Sequence, residues 1–385
     1  MTDKQKVIVA LTSASETCTA ALSALASRNQ RNKFEPQTSD LAVIVKDLDS
    51  LLSMIYNTST KLALVLKPSS PTYSASLPVI VDLTKYTSGI AHCIHLLNPN
   101  LHGATLIKEL QHEVTAIFEA LRAVVQTFLN LAARGPSIAR NDSAEEYLVR
   151  TGTLHDLITQ ARGPNGIPKD NISAIRRRWK QDRAALEDSL REVSEMIDGA
   201  EGSENDDVDD GWDELGLGDT GAKMDGDELA RAKNVHSVLR LTTLLHKRIF
   251  LDLLSSTPTP PGPPPSLALD ALLLQSHALL AASDELVSSL YIPQNPATIR
   301  KESLALLDII NGLQLQLRIF FPDTSSLEQQ LSGLSIEGDK SAPTPSKPTA
   351  DKKWFDLCFD QVTKTSANLV SPMYKPSPGV GQKPR

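Results

Sequence analysis

The sequence predicts an all-α fold: two antiparallel helical bundles joined by a disordered acidic linker. Three observations lead there. Aromatic residues make up only 4% of the chain while Leu and Ala abound, a balance that favours helices packed through aliphatic stripes over sheets. Apolar residues recur at spacings of three and four over long stretches with few internal breakers, the period of an amphipathic helix. Between two such regions, residues 201–219 hold nine acidic residues, four glycines and no basic residue, so this stretch cannot bury enough apolar area to offset its ordering entropy. At 385 residues the chain also exceeds one core of ordinary size, since domains average roughly 150 residues.

The helices follow in order. Asp40 can cap a helix whose inward stripe is Leu41, Ile44, Leu48, Leu52, Ile55, Leu62 and Val65, closed by Pro68 and Pro71. A second covers residues 77–97 and stops at Asn98-Pro99-Asn100. The third presents Ile107, Leu110, Val114, Ile117, Leu121, Val124 and Phe128, with Gly135 and Pro136 beyond it. Ser143 and Glu146 have capping-box spacing for a shorter helix ending near Gly163 and Pro164. Asp170 can cap a long helix with Ile172, Ile175, Trp179, Leu186, Leu190, Val193 and Ile197 inward, and Arg183, Glu187, Arg191 and Glu195 outward at i, i+4 steps. Helical patterning returns over residues 227–254, 267–291, 298–321 and 351–369.

These elements divide the chain into a first bundle over residues 1–200, the acidic linker over 201–222, and a second bundle over 223–322 and 351–370. A proline-rich loop at 257–265, with six prolines, and a disordered insert at 323–350 interrupt the second bundle, and a flexible tail covers 371–385.

A formal net charge of −7 leaves no surplus of Lys and Arg to neutralise phosphates, so no direct nucleic-acid partner is expected. Cys18, Cys93 and Cys358 are far apart and odd in number, which suits a reducing compartment. The apolar run Val7 to Leu11 is too short for a signal core or a membrane span, so no membrane is expected either. The reading is a cytoplasmic and nuclear protein.

No glycine loop, nucleophile with base, or metal-ligand spacing stands out, so no catalytic, cofactor-binding or metal-binding residue and no cofactor is expected. His92 and His95 share a helix face near Cys93 and His102, but no second cluster completes a tetrahedral set. Asp206, Asp210 and Gly211 would suit a calcium loop, yet Val208 and Leu217 then fall where oxygen ligands are required. Trp212, Leu215 and Leu217 among carboxylates fit either a charged tether or a segment that folds on a partner. Arg176, Arg177, Arg178 and Lys180 surround Trp179; the reading is a solvated helix face, with a nucleic-acid contact as the alternative, and Trp179 itself is on the apolar stripe. Pro258, Pro261 and Pro264 give PxxP spacings without a flanking basic residue.

Gly103-Ala104-Thr105 opening one long helix, Ile167-Pro168-Lys169-Asp170-Asn171 opening the next, the acidic segment around Trp212, and Asp284-Glu285-Leu286 leading to Leu290-Tyr291-Ile292-Pro293 come in an order that resembles the cyclin-D-binding protein family (GCIP-like). The resemblance covers about residues 40–370, with the proline-rich inserts as departures suggesting a non-animal member. It implies a non-enzymatic, all-helical regulator of two bundles. Animal members bind D-type cyclins and helix-loop-helix transcription regulators and restrain cell-cycle progression, so partners of those kinds are implied. Gly103 to Thr105, Ile167 to Asn171, Arg176 to Arg178 and Trp212 are the candidate partner-binding or family-motif residues. The alternative is a cytoskeletal or adhesion-type bundle scaffold of the vinculin or catenin kind.

Overall fold

The computed structural model describes residues 1–28, 40–133, 141–201, 224–254, 265–321 and 352–370, and every described element is helical. Residues 202–222 of the expected linker, 257–264 of the proline-rich loop, the insert and the tail, and Trp212 with them, lie outside the described residues, while Glu201 ends a helix and Pro265 precedes one. The chain divides into two compact units, Met1–Ile175 and Arg176–Arg385.

In the first unit α1 (Asp3–Arg28), α2 (Leu41–Val65), α3 (Tyr73–Leu96), the single turn α4 (Pro99–His102), α5 (Ala104–Ala133) and α6 (Asn141–Arg162) surround one core. Helix neighbours close a ring: α1 packs on α3, α3 on α2, α2 on α6, α6 on α5, and α5 on α1. Each stripe read from the sequence turns inward. Asp40 caps α2 by accepting the Ala42 amide at 3.0 Å, and Ile107, Leu110, Val114, Ile117, Leu121, Val124 and Phe128 of α5 are all buried. Helix α3 starts before the expected residue 77, because Pro78 is accommodated in its second turn and removes only one intrahelical bond there.

Helix α7 (Asn171–Glu201) contains the division between the units. The sequence ended the first bundle at residue 200; the compact unit ends instead inside α7. The physical reason is that Trp179, Leu186, Val193 and Ile197 are buried with the second unit's helices. Ile172 and Leu190, expected inward with them, are only half-buried. The outer face behaves as expected, with Arg183–Glu187 at 3.2 Å and Arg191–Glu195 at 3.6 Å.

The second unit adds α8 (Gly226–Arg248), α9 (Ser266–Ser288), α10 (Pro296–Leu317) and α11 (Lys352–Val370). Helix α8 ends in a widened π-helical turn, Ile249–Leu253, and α10 in a 3₁₀ turn, Arg318–Phe320. Again a ring closes: α9 packs on α10, α10 on α11, α11 on α8 and α8 on α9. An Asp225/Glu228 capping box starts α8, and Asn295 caps α10 by accepting the Ala297 and Thr298 amides.

By length and composition α1, α5 and α9 are each apolar enough to cross a bilayer. The short apolar run at Val7 is therefore part of a longer apolar helix than the sequence suggested.

Candidate interaction site

In the first unit two of the sequence motifs meet. Gly103 ends α4 with φ +92°, a region open mainly to glycine, and the side chain of Asn171 fills the space beside it. A Cβ on residue 103 would lie 2.0 Å from the Asn171 Cγ. Asn171 is buried, and its Oδ1 accepts the Leu106 amide at 3.0 Å, capping the start of α5 from the start of α7. Pro168 and Thr105 are buried around this joint, whereas Lys169 and Asp170 are exposed. Asp170 Oδ1 accepts the Ser173 amide at 2.7 Å as the α7 cap, and the Ile167 amide donates to the Ala161 carbonyl at 2.7 Å.

In the second unit α7, α8 and α9 converge on a buried polar chain. Trp179 Nε1 donates to the His246 carbonyl at 3.0 Å, and the indole stacks on the His246 ring. The Ser276 hydroxyl donates to Asp182 Oδ2 at 2.6 Å, so its oxygen is left to accept from His246 Nε2–H at 2.8 Å. That arrangement makes Nδ1 the unprotonated ring nitrogen, and it has no hydrogen-bond partner. Burial, with the Arg183 charge nearby, lowers the His246 pKa to about 3. Burial also raises the Asp182 carboxyl above its usual range, against the opposing pull of Ser276, His277 and Arg178.

Asp, Ser and His are thus in line, but in an order unlike a nucleophilic triad. The serine gives its proton to the carboxylate instead of to the imidazole, and Ser276 and His246 are both fully buried. Periodicity could not reveal the chain, because its members come from three helices; only the inward position of Trp179 pointed towards it.

The basic cluster is not a bare solvated face. Arg176 donates to the Leu254 carbonyl and lies over the Phe250 ring at 4.6 Å, while Arg178 donates to Gln181 Oε1 at 3.4 Å. All three arginines are half-buried, and Lys180 is exposed. The Asp284–Pro293 motif also serves as a joint: Asp284 accepts the Ser189 hydroxyl at 2.8 Å and Tyr291 donates to Glu192, both across to α7. His92 and His95 are exposed, while His102 is buried and accepts the Asn98 amide through Nδ1 at 3.0 Å. Among the described residues no group of three or more His, Cys, Asp or Glu is placed to hold a metal.

A shallow groove of about 410 Å³ runs between α1 and α5, lined by Thr12, Ser15, Thr19, Ser23, Gln126 and Leu129 among others. It belongs to the first unit. Large apolar side chains stand exposed on α2 (Met54, Leu64) and on α9 (Leu267, Leu274).

No curated protein matches the chain. Two family profiles do: Grap2 and cyclin-D-interacting, N-terminal, over residues 47–199, and Grap2 and cyclin-D-interacting, C-terminal, over residues 208–315. Together they span from within α2 to the last turn of α10, which includes the Gly103–Asn171 joint and the Trp179–His246 stack, and the chain belongs to the Grap2 and cyclin-D-interacting family.

Proposed function

We propose that the protein is a non-enzymatic interaction regulator that binds a D-type cyclin, or a helix-loop-helix regulator, through the outer faces of its helices. The observation that carries this reading is the family match across both units. The chemistry of the interior supports it: Ser276 and His246 are fully buried, and the serine is committed to the Asp182 carboxylate. Rigid bundles recognise partners by seating an amphipathic helix with i, i+3 and i+4 anchors along a face. Competition for the partner's docking helix then inhibits it stoichiometrically.

We place this activity in the cytoplasm and nucleus, without direct contact to nucleic acid or membrane. The apolar stripes of α1, α5 and α9 are read as bundle staves, since each carries buried residues against neighbouring helices. Titration of the purified full-length chain with a purified D-type cyclin, followed by calorimetry, is the test. Saturable one-to-one binding is expected; no binding heat with a properly folded cyclin removes the cyclin assignment.

A further inference from the structure

Helix α8 carries a charge bias opposite to that of the chain. The chain has 46 acidic residues against 39 basic ones, yet residues 229–251 hold five Lys and Arg and no Asp or Glu. Part of that charge is answered from nearby: Glu201 pairs with Lys233, and Asp252 pairs with Arg248 at 2.9 Å. Arg240 and Lys247 are exposed and have no ion-pair partner among the described residues. Seven residues apart, they stand two turns apart on one side of the helix.

Leucines alternate with these cations. Leu244 is 44% exposed and Leu251, in the widened last turn, 49%, so the outward line reads Arg240, Leu244, Lys247 and Leu251 at four- and three-residue steps. Helix α11 packs along one flank of α8. The Arg248 guanidinium lies over the Trp354 ring at 5.0 Å, which puts the Trp354 side of α11 against α8, whereas Phe355 meets Phe321 after α10 with centroids 5.4 Å apart. Leu357 and Gln361, three and seven residues beyond Trp354, therefore turn to the α8 side, while Asp356 and Asp360 turn to the other. Leu357 is 66% exposed. With the half-buried Leu241 and Trp354, Leu244 and Leu357 form an apolar seam where α8 and α11 meet.

We propose that this face, α8 with the adjoining flank of α11, docks an acidic amphipathic helix of a partner protein, its apolar side chains on Leu244, Leu251 and Leu357 and its carboxylates on Arg240 and Lys247. Charge complementarity selects that occupant. The cations stand within the line of leucines and not at its margins, so the face cannot sink into a bilayer without burying charge, whereas an interfacial helix keeps its cations on the opposite side. Two uncompensated cations also fall short of the phosphate contacts that a nucleic acid takes. A helix in which carboxylates and leucines alternate satisfies every member of the line at once. Arg240 to Leu251 spans about 17 Å at 1.5 Å per residue, or three turns of such a partner. This goes beyond the cyclin reading, because it assigns one face and the charge of its occupant, and it stands whether or not the partner is a cyclin.

The test is fluorescence anisotropy of a labelled synthetic helical peptide titrated with the full-length chain. One face of the peptide alternates Glu and Leu at four- and three-residue steps, with Ala and Gln elsewhere. Saturable one-to-one binding is expected. It should weaken on the order of tenfold in the double variant Arg240→Glu with Lys247→Glu, and by a similar factor in Leu244→Ser with Leu357→Ser, helical content by circular dichroism being unchanged. The same peptide with Lys in place of Glu should not bind. No binding by the native chain, equal binding by both double variants, or equal binding of the lysine peptide overturns the proposal. A loss in one double variant alone leaves either a general polyanion patch or an uncharged groove, and overturns the acidic helix. Phosphatidylserine vesicles that bind the native chain, lose it on the charge reversal and are not displaced by the peptide assign the face to a membrane and overturn it as well. No cyclin enters this titration, so its failure and the failure of the cyclin reading are separate results.

Discussion

The indole of Trp179 lies nearly parallel to the imidazole of His246, centroids 4.3 Å apart and planes 12° from one another, while its N–H donates to that histidine's own carbonyl. One side chain of α7 thus fixes both the ring and the backbone of α8. Trp179→Ala should cost about 3–5 kcal/mol by urea unfolding of the full chain, from lost burial plus the cavity. Trp179→Phe keeps most of the apolar area and loses the hydrogen bond, for about 1–3 kcal/mol. Equal losses in the two variants would show that the N–H, and not the packing, dominates.

The lowered pKa of His246 gives a pH dependence with a definite sign. Between about 3 in the folded chain and about 6.5 unfolded, the unfolded state binds the extra proton. Stability should therefore fall as pH drops through that window, by up to about 1.4 kcal/mol per pH unit from this group. Asp182, raised by burial, acts in the opposite direction between the ordinary carboxylate pKa and its own folded value, and so softens the slope at the acid end. Arg183, Arg178 and His277 supply the surrounding charge. Urea midpoints between pH 7 and 4.5 should decline more steeply in the native sequence than in His246→Gln; parallel slopes would remove His246 as the source.

Gly103→Ala should lose at least about 2 kcal/mol, because the added methyl meets Asn171 at a positive φ. Asn171→Ala should lose about 1 kcal/mol as the α5 cap disappears. Their combination should cost less than the sum, since removing the amide opens the space that the methyl needs. Thermal melts of the three variants read this coupling directly.

Leu121 is fully buried and Leu190 only half-buried. Leu121→Ala should therefore cost about 3–5 kcal/mol and Leu190→Ala under about 2 kcal/mol. A larger loss at Leu190 would place it in a tighter environment than its exposure indicates.

The helices with wide aliphatic stripes were legible because periodicity needs no partner to be seen: α2, α5 and α7 read directly from their leucines and isoleucines. For α1 the sequence predicts a place in the first bundle and no helix of its own. Its inward face, Val7, Leu11, Ala14, Cys18, Ala21 and Leu25, shrinks to small residues, and its many hydroxyls resemble a loop composition. In the helix those hydroxyls are satisfied locally, Thr12, Thr17 and Thr19 each donating to the carbonyl four residues back. The family motifs were legible as words but not as contacts. That Asn171 sits on Gly103, or that Asp182 reaches His246 through Ser276, depends on which helices become neighbours, and spacing along one helix carries no such information.

The matched stretches run from residue 47 to residue 315, whereas α1 and α11 fall outside them. Yet α1 bridges α3 and α5, and α11 bridges α8 and α10. Trimming a recombinant chain to its recognisable portion would pull a plank from each of two barrels. Buried side chains of α3 and α5 in one unit, and of α8 and α10 in the other, would then meet solvent, and the shortened product would be expected to clump. Expression trials should keep both ends.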